Sequence, residues 1–382
     1  MKLNLETSKK HFEDIIMQRI RRVEKIDGGS KPINFDRLDK IIIGVAPGDG
    51  IGPTICGQAY SLLKRLLESE INSKKVEFRD IPGLTFENRK KLGKTLPPDT
   101  LDEIKKCRVL LKGPTTTPQM GAGLNMESAN VVLRRELDLF ANVRPIRVPE
   151  LGIDWTFFRE NTEGSYAVGS NGIQVHEQIY IDFCVTTEIG NERIIRAAFE
   201  YAKKTGKKKV TAVTKANVIK LTDGRFLMAF NRIAAEYPQI EPDEKYVDIM
   251  AANLIDKNKQ RGFEVLVMPN LYGDILTDEA AAVQGGVGTA GSANIGNEYA
   301  MFEAVHGSAP DLIKAGLERF ADPASILRAS VMMLSHIGYA EHAAKLEAAL
   351  DKCTRERIVV SSGPNGVTNE EYIEYLSKEL FL

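Results

Sequence analysis

Short apolar runs alternate with longer stretches of helical period along most of the chain. Residues 40–46 (KIIIGVA) are almost continuously apolar and predict a buried strand. The run enters Pro47-Gly-Asp-Gly-Ile-Gly-Pro53, after which Ile55, Tyr60, Leu62, Leu63 and Leu66 recur on a helix face. Residues 108–112 predict a strand leading into Gly113-Pro-Thr-Thr-Thr-Pro118, and residues 125–137 predict a helix with Val131, Val132, Leu133 and Leu137 apolar. Residues 155–158 read as a strand, and 172–188 alternate apolar and polar between Gly172 and Gly190, which predicts an extended arm. Then follow a helix over 191–205 closed by Gly206, a strand over 208–214 and a helix over 246–255. A strand over 263–268 ends at Pro269, and a helix is expected over 275–283. Two helices fill 323–352, and Thr368-Asn-Glu-Glu371 has capping-box spacing ahead of a last one. Strand, turn and helix in this alternation predict a doubly wound α/β chain.

The N-terminal stretch 8–26 carries Phe12, Ile15, Ile16, Ile20 and Val23 on one helical stripe, with Gly28-Gly29 as a stop. Arg19, Arg21 and Arg22 tint it basic, but Glu6, Glu13, Asp14 and Glu24 argue against a transit peptide, and no signal-peptide apolar region is present. It reads as a docking helix or an oligomer contact.

At 382 residues the chain is long enough for two domains. A net charge of −1 gives no global field toward nucleic acid or an anionic membrane. No apolar run approaches the ~20 residues a membrane span needs. Cys56, Cys107, Cys184 and Cys353 lie far apart with no CxxC pair, which fits buried thiols in a reducing compartment and a cytoplasmic protein.

The chemistry centres on Asn270-Leu-Tyr-Gly-Asp-Ile-Leu-Thr-Asp278. Asp274 and Asp278 are four residues apart and share a helix face at the end of a strand, a hard-cation arrangement. A solvated acidic first turn is the alternative. Gly48-Asp-Gly50-Ile-Gly52 lacks the G-x-G-x-x-G spacing, so a dinucleotide would not be bound in the Rossmann manner, and a plain tight turn also fits. Arg134, Arg144, Arg147 and Arg159, with Ser128 and Asn130, predict clamps for an anionic ligand; surface ion pairs are the other reading. Lys215-Ala-Asn217 follows a strand, and its lysine reads as a desolvated base or a plain surface cation.

Taken together the segments resemble the β-decarboxylating dehydrogenases, the isocitrate, 3-isopropylmalate, homoisocitrate and tartrate enzymes. The matching stretches are Pro47-GDGIGP, Leu111-KGPTTTP, Ser128-ANVVLRRELDLFANVRP, Phe158-RENTEGSY, Thr214-KAN, Tyr246-VD, Asn270-LYGDILTD and Ala304-VHGSAPD, in the family's order. The resemblance implies two α/β domains sharing a continuous sheet, with a non-Rossmann nucleotide site. It implies a helical extension over 1–39, a large cofactor domain of 40–139 and 285–382, and a small domain over 140–284 with the dimer interface and an intersubunit arm.

The resemblance also implies roles. Asp274 and Asp278, with Asp248 of a second subunit, would hold Mg²⁺ or Mn²⁺. Arg134, Arg144 and Arg159 would grip the carboxylates of a hydroxy-tricarboxylate, with Ser128, Asn130 and Asn217 beside them. Lys215, from the other subunit, and Tyr166 would serve as base and acid. Lys112, Thr117, His306, Gly307, Ser308, Ala309, Pro310, Asp311 and Asp322 would line the cofactor site. Asp311 would face the adenosine ribose, and a carboxylate there favours NAD over a 2′-phosphate. Asn130 favours isocitrate, while Glu127 is the isopropylmalate-like feature. Asp322 stands where the family usually has Asn. The implied activity is NAD-dependent oxidative decarboxylation of isocitrate to 2-oxoglutarate and carbon dioxide by a homodimer or larger homo-oligomer with shared active sites. Homoisocitrate or 3-isopropylmalate are rival substrates. A silent regulatory subunit of a hetero-oligomer is the reading from another class; the presence of Tyr166, Lys215, Asp248, Asp274 and Asp278 counts against it.

Overall fold

The computed structural model describes residues 5–27, 29, 31–118, 126–169, 171–363 and 365–381. The expected stop at Gly28 and helix start at Asn125 lie outside the described residues. The chain forms two compact units, one of Met1–Pro32 and Arg134–Val283, the other of Ile33–Leu133 and Gln284–Leu382.

The chain opens with α1 (Leu5–Asp27), then β1 (Ile41–Ala46), α2 (Gly52–Leu66), α3 (Glu68–Asn72) and β2 (Val76–Asp80). It continues through α4 (Phe86–Leu92), α5 (Pro98–Cys107), β3 (Val109–Lys112) and α6 (Ala129–Glu136). Next come β4 (Ala141–Val148), β5 (Ile153–Glu160), β6 (Ile173–His176), β7 (Ile179–Ile181), α7 (Glu188–Thr205), β8 (Lys209–Thr214) and α8 (Thr222–Ala234). β9 (Glu241–Tyr246), α9 (Val247–Ile255), β10 (Val265–Met268) and α10 (Asn270–Gln284) follow. The last stretch holds β11 (Gly291–Ile295), β12 (Ala300–Ala304), α11 (Pro310–Lys314), α12 (Ala324–His336), α13 (Ala340–Arg355) and α14 (Asn369–Phe381).

In the unit of 33–133 and 284–382 the strands run β2-β1-β3-β12-β11, parallel except for the antiparallel β11–β12 pair. In the other unit the order is β4-β5-β10-β8-β9, parallel except for β4–β5. Parallel strands covered on both faces must be apolar throughout, and β10 is buried at every position. Full burial of such a side chain is worth roughly 1.5–3 kcal/mol. Trp155, also fully buried, satisfies its ring N–H on the Gln260 carbonyl at 2.9 Å.

Several boundaries move for identifiable reasons. Helix α7 starts at Glu188 because Thr187 caps it, its hydroxyl accepting from Gly190 N at 3.0 Å, and it ends on left-handed Gly206. The expected arm over 172–188 is a short hairpin, β6 paired with β7, and not one long strand. Helix α10 begins at Asn270, directly after Pro269, so Asp274 and Asp278 lie inside a helix longer than expected. The capping box at Thr368 forms: Glu371 accepts from Thr368 N at 2.7 Å, and Thr368 Oγ1 accepts from Glu371 N at 3.3 Å. All four cysteines are free, but Cys184 is exposed, against the expectation of uniformly buried thiols. Among the described residues no helix is long and apolar enough to cross a membrane.

Candidate active site

In the unit that holds α10, the site is built on the carboxyl end of β5 and the first turns of that helix. Arg159, the penultimate residue of β5, is 1% exposed. Its Nε and Nη2 donate to Asn270 Oδ1 at 3.0 and 2.7 Å, and its Nη1 pairs with Asp274. Asn270 is fixed in turn by donating Nδ2 to the Glu163 carbonyl at 3.0 Å. Tyr166 donates its hydroxyl to the other Asp274 oxygen at 2.8 Å. Arg144, on β4, donates to Thr277 Oγ1 at 2.5 Å and to Asp278 Oδ1 at 2.9 Å. Thr277 spends its own proton on the Gly273 carbonyl at 2.6 Å.

The electrostatics follow from that crowding. Burial pulls the Arg159 guanidinium down to about 9, helped by Arg134 and Arg144 and opposed by Asp274 and Tyr166. Burial pushes the Asp274 carboxyl up, but Arg159, the Tyr166 hydroxyl, Arg144 and Arg134 outweigh it, and the group sits below the usual carboxylate range. Burial and the bond to Asp274 raise the Tyr166 hydroxyl. Three arginines against the two carboxylates of Asp274 and Asp278 leave a local excess of positive charge, suited to an anionic ligand.

Lys215 and Asp248 form their own cluster. Lys215 follows β8 and its Nζ lies 2.7 Å from Asp248 Oδ1 on α9, while its backbone N–H donates to buried Asp223 at 2.6 Å. The Lys215 hydrogen bond holds the Asp248 carboxyl low. Asn217 is exposed in the turn beyond. Among the described residues no three Asp, Glu, His or Cys side chains gather as a metal-binding group within the chain. Asp274 and Asp278 alone are an all-oxygen pair one helical turn apart; their chemistry fits a hard divalent cation, completed by donors from elsewhere.

The other unit carries the expected nucleotide residues. Gly48 and Gly50 take positive φ, and a Cβ on Gly50 would lie 2.0 Å from the Ser308 carbonyl oxygen, so the 47–53 turn closes against the 306–309 loop. Thr116 Oγ1 donates to Ser308 Oγ at 3.0 Å, and Ala309 is left-handed at φ 44° ahead of Pro310. His306 Nε2 is sheltered and meets no partner among the described residues, an orphaned polar atom that a bound dinucleotide would satisfy. Gly307 has open space where a Cβ would stand. Burial raises the Asp322 carboxyl, opposed by the Ala324 N–H it accepts at 2.9 Å. Thr117 is exposed, Ser128 immediately precedes α6, and Asn130 accepts from Thr115 Oγ1 at 3.1 Å. Lys112 is fully buried, donating to the Gly113 carbonyl at 2.8 Å and to Glu303 at 3.1 Å.

The sequence reading passed over the residues that fix these parts. Asp49 accepts from Phe86 N at 2.6 Å, Thr116 N at 2.8 Å and buried Arg89 at 3.2 Å, tying the glycine turn to the 114–116 loop and α4. Glu163 and Thr277 do the same work around α10. An acid inside a glycine turn is the one signal that could have pointed to Asp49.

A family profile described as isocitrate/isopropylmalate dehydrogenase matches residues 42–362. The chain is 41% identical over 323 residues to an isocitrate dehydrogenase [NADP] of Rickettsia prowazekii, covering 83% of this chain and 64% of that relative. It thus spans about two thirds or less of that relative's length. It is 38% identical over 356 residues to a homoisocitrate dehydrogenase of Methanocaldococcus jannaschii, covering 88% of this chain and 98% of that one. The solved isocitrate dehydrogenase of Methylococcus capsulatus superposes with a TM-score of 0.79 at 37% identity, covering 90% of this chain and all of that one, so the fold is the same. Curated relatives at 38–42% identity correct the expected NAD-dependent isocitrate activity: most of those compared are NADP forms, beside an NAD form and the homoisocitrate enzyme. Asp311 therefore does not assign NAD. The physical reason is its setting: its side chain is 95% exposed and lies 3.7 Å from Lys314, so water, salt and a counter-charge screen it.

Proposed function

The chain belongs to the isocitrate/isopropylmalate dehydrogenase family, and we propose that it oxidatively decarboxylates a 2-hydroxy polycarboxylate, with a nicotinamide dinucleotide as acceptor and a divalent cation as cofactor. The observation that carries the reading is that Arg159 and Tyr166 bond Asp274 while Arg144 bonds Asp278 one helical turn on. When bound, the cation supplies Lewis acidity and the nicotinamide accepts a hydride.

The chain's own residues supply binding and protons. The arginines bind and orient the substrate's carboxylates; Arg159, clamped on both sides and dry, presents its fork in one geometry. Tyr166 is protonated at neutral pH, as any tyrosine with a pKa at or above the ordinary value is, and its hydroxyl can give that proton to a carbanionic centre. Asp274 and Asp278 would hold Mg²⁺ or Mn²⁺, joined by Asp248 of a second copy. Lys215 of that copy would take the 2-hydroxyl proton. Exposed apolar side chains support association: Tyr180 and Ile181 on the hairpin, Ile249 and Ile255 on α9 and Ile275 on α10.

The test is reduction of NAD and of NADP by the purified chain with isocitrate, homoisocitrate and 3-isopropylmalate, with and without Mg²⁺ or Mn²⁺. Metal-dependent reduction with at least one acid is expected, and Asp274→Asn should remove most of it even in excess Mg²⁺. No reduction with any acid, or full activity of the variant, ends the reading.

A further inference from the structure

The N-terminal helix α1 is thinly docked. Among its described apolar residues Ile15 is buried, whereas Leu5, Phe12, Ile16, Met17 and Ile20 are exposed. His11 Nε2 meets the Asn171 carbonyl at 3.0 Å and Phe12 meets Phe183 with ring centroids 5.4 Å apart. With so little apolar burial, a sheltered charged contact weighs heavily. That contact is Arg22, 13% exposed, whose Nη2 donates to Asp138 Oδ1 at 2.8 Å.

Asp138 sits where α6 reverses. Its φ is +47°, a left-handed backbone that aspartate tolerates better than most residues. Beside it, Leu139 N–H donates to the Arg134 carbonyl at 2.8 Å, closing the helix directly over an acid-binding arginine. Arg193 holds the same carboxylate through two bonds of 2.7 and 3.0 Å, and its Nη2 also donates to Thr162 Oγ1 at 2.9 Å. Thr162 Oγ1 donates to Glu160 Oε1 at 2.7 Å, and Glu163 N–H to Glu160 Oε2 at 2.6 Å. The Glu163 carbonyl then anchors Asn270, and Asn270 anchors Arg159.

We propose that Arg22 and Asp138 are positioning residues, through which α1 clamps the end of α6 and the 160–163 turn and so holds Arg134 and Arg159 in register for the acid. The role rests on the functional reading above. Neither residue touches the substrate; both act through others. Removing Arg22 leaves the Asp138 carboxylate to Arg193 alone.

The test uses the full chain with Arg22→Gln, Arg22→Lys and, as control, Arg21→Gln at an exposed neighbour. Amide hydrogen exchange is followed at Leu139, Thr162 and Glu163, and KM is measured separately for acid and nucleotide. Losing one charge-assisted bond predicts, in Arg22→Gln, faster exchange at those amides and an acid KM raised about threefold to tenfold. Nucleotide KM should stay unchanged, Arg22→Lys should recover part of the effect, and Arg21→Gln should show none. Unchanged exchange in Arg22→Gln overturns the clamp. Faster exchange with an unchanged acid KM overturns its link to the acid site, as does an equal rise in both KM values. A wild type inactive on every acid sinks the functional reading separately, and the exchange comparison then still decides whether Arg22 holds the two segments.

Discussion

Gly273 leaves no room beside Arg159: a Cβ on Gly273 would lie 2.5 Å from both Cβ and Cγ of that arginine. The backbone of α10 therefore passes flush against the arginine's stem. Asn270 and Asp274, one turn apart on that helix, can then take opposite sides of the guanidinium. The glycine is a spacer for the clamp, not a flexible point.

Gly273→Ala should displace Arg159 from both partners. Overpacking of this kind costs about 1–3 kcal/mol, or roughly a tenfold rise in acid KM if the loss falls on binding. Steady-state kinetics check it, with nucleotide KM expected to stay put. A folded variant with unaltered acid KM would take Arg159 out of the acid site.

Glu163 gives a pH signature. Burial raises its carboxyl to about 7, helped by neighbouring Glu160 and opposed by the two Thr187 donors and Arg22. The folded value lies above the unfolded value of about 4.3, so between these the folded state binds the extra proton. Stability then falls as pH rises from about 4.3 to 7, and this contribution levels off above that. Glu163→Gln removes the titration, so urea midpoints should show the variant gaining on the wild type as pH climbs through that window. A constant difference across it would refute the assignment.

Nucleotide choice should depend little on Asp311. An almost fully exposed carboxylate beside Lys314 is screened by solvent and by that ammonium. Asp311→Ala should alter the ratio of kcat/KM for NADP over NAD by less than about threefold at physiological salt. A tenfold or larger swing toward NADP would restore the carboxylate as a specificity element.

Apart from the exposed β6–β7 arm, legible from its alternation, the strands legible in the sequence are largely buried. β1, β3 and β10 are mostly apolar runs because parallel neighbours and covering helices leave them little wet side, and β8 mixes Val and Ala with buried threonines. β9 (EPDEKY) was invisible because it pairs with β8 and points charged side chains outward, as a strand at the end of a sheet does. β4 hid behind Pro145 and two arginines, and β11 behind a glycine-rich passage. At the site the spacing of Asp274 and Asp278 was legible in itself, while the roles of Arg134, Arg144, Arg159 and Tyr166 were implied by the family resemblance. Asn270 could not be read the same way, since its role is to join Arg159 to a carbonyl 107 residues away in sequence, and local pattern carries no trace of such a bond.

Lys112 shows how a motif residue can owe its place to stability. Its ammonium is fully buried between the Gly113 carbonyl and Glu303, and Glu303 also accepts from Asn294 Nδ2 at 2.8 Å. Truncating one member of such a pair strands the other charge in a dry core, at a cost of about 3–5 kcal/mol. Lys112→Met should therefore lower the thermal midpoint sharply. Lys112→Met/Glu303→Met, which removes both charges, should recover much of that loss, because an apolar pair of similar volume needs no solvation. If Lys112 instead reaches the nucleotide, the single variant would keep its midpoint and raise nucleotide KM, and the double variant would recover nothing. Calorimetry on both variants beside nucleotide titrations separates the two roles.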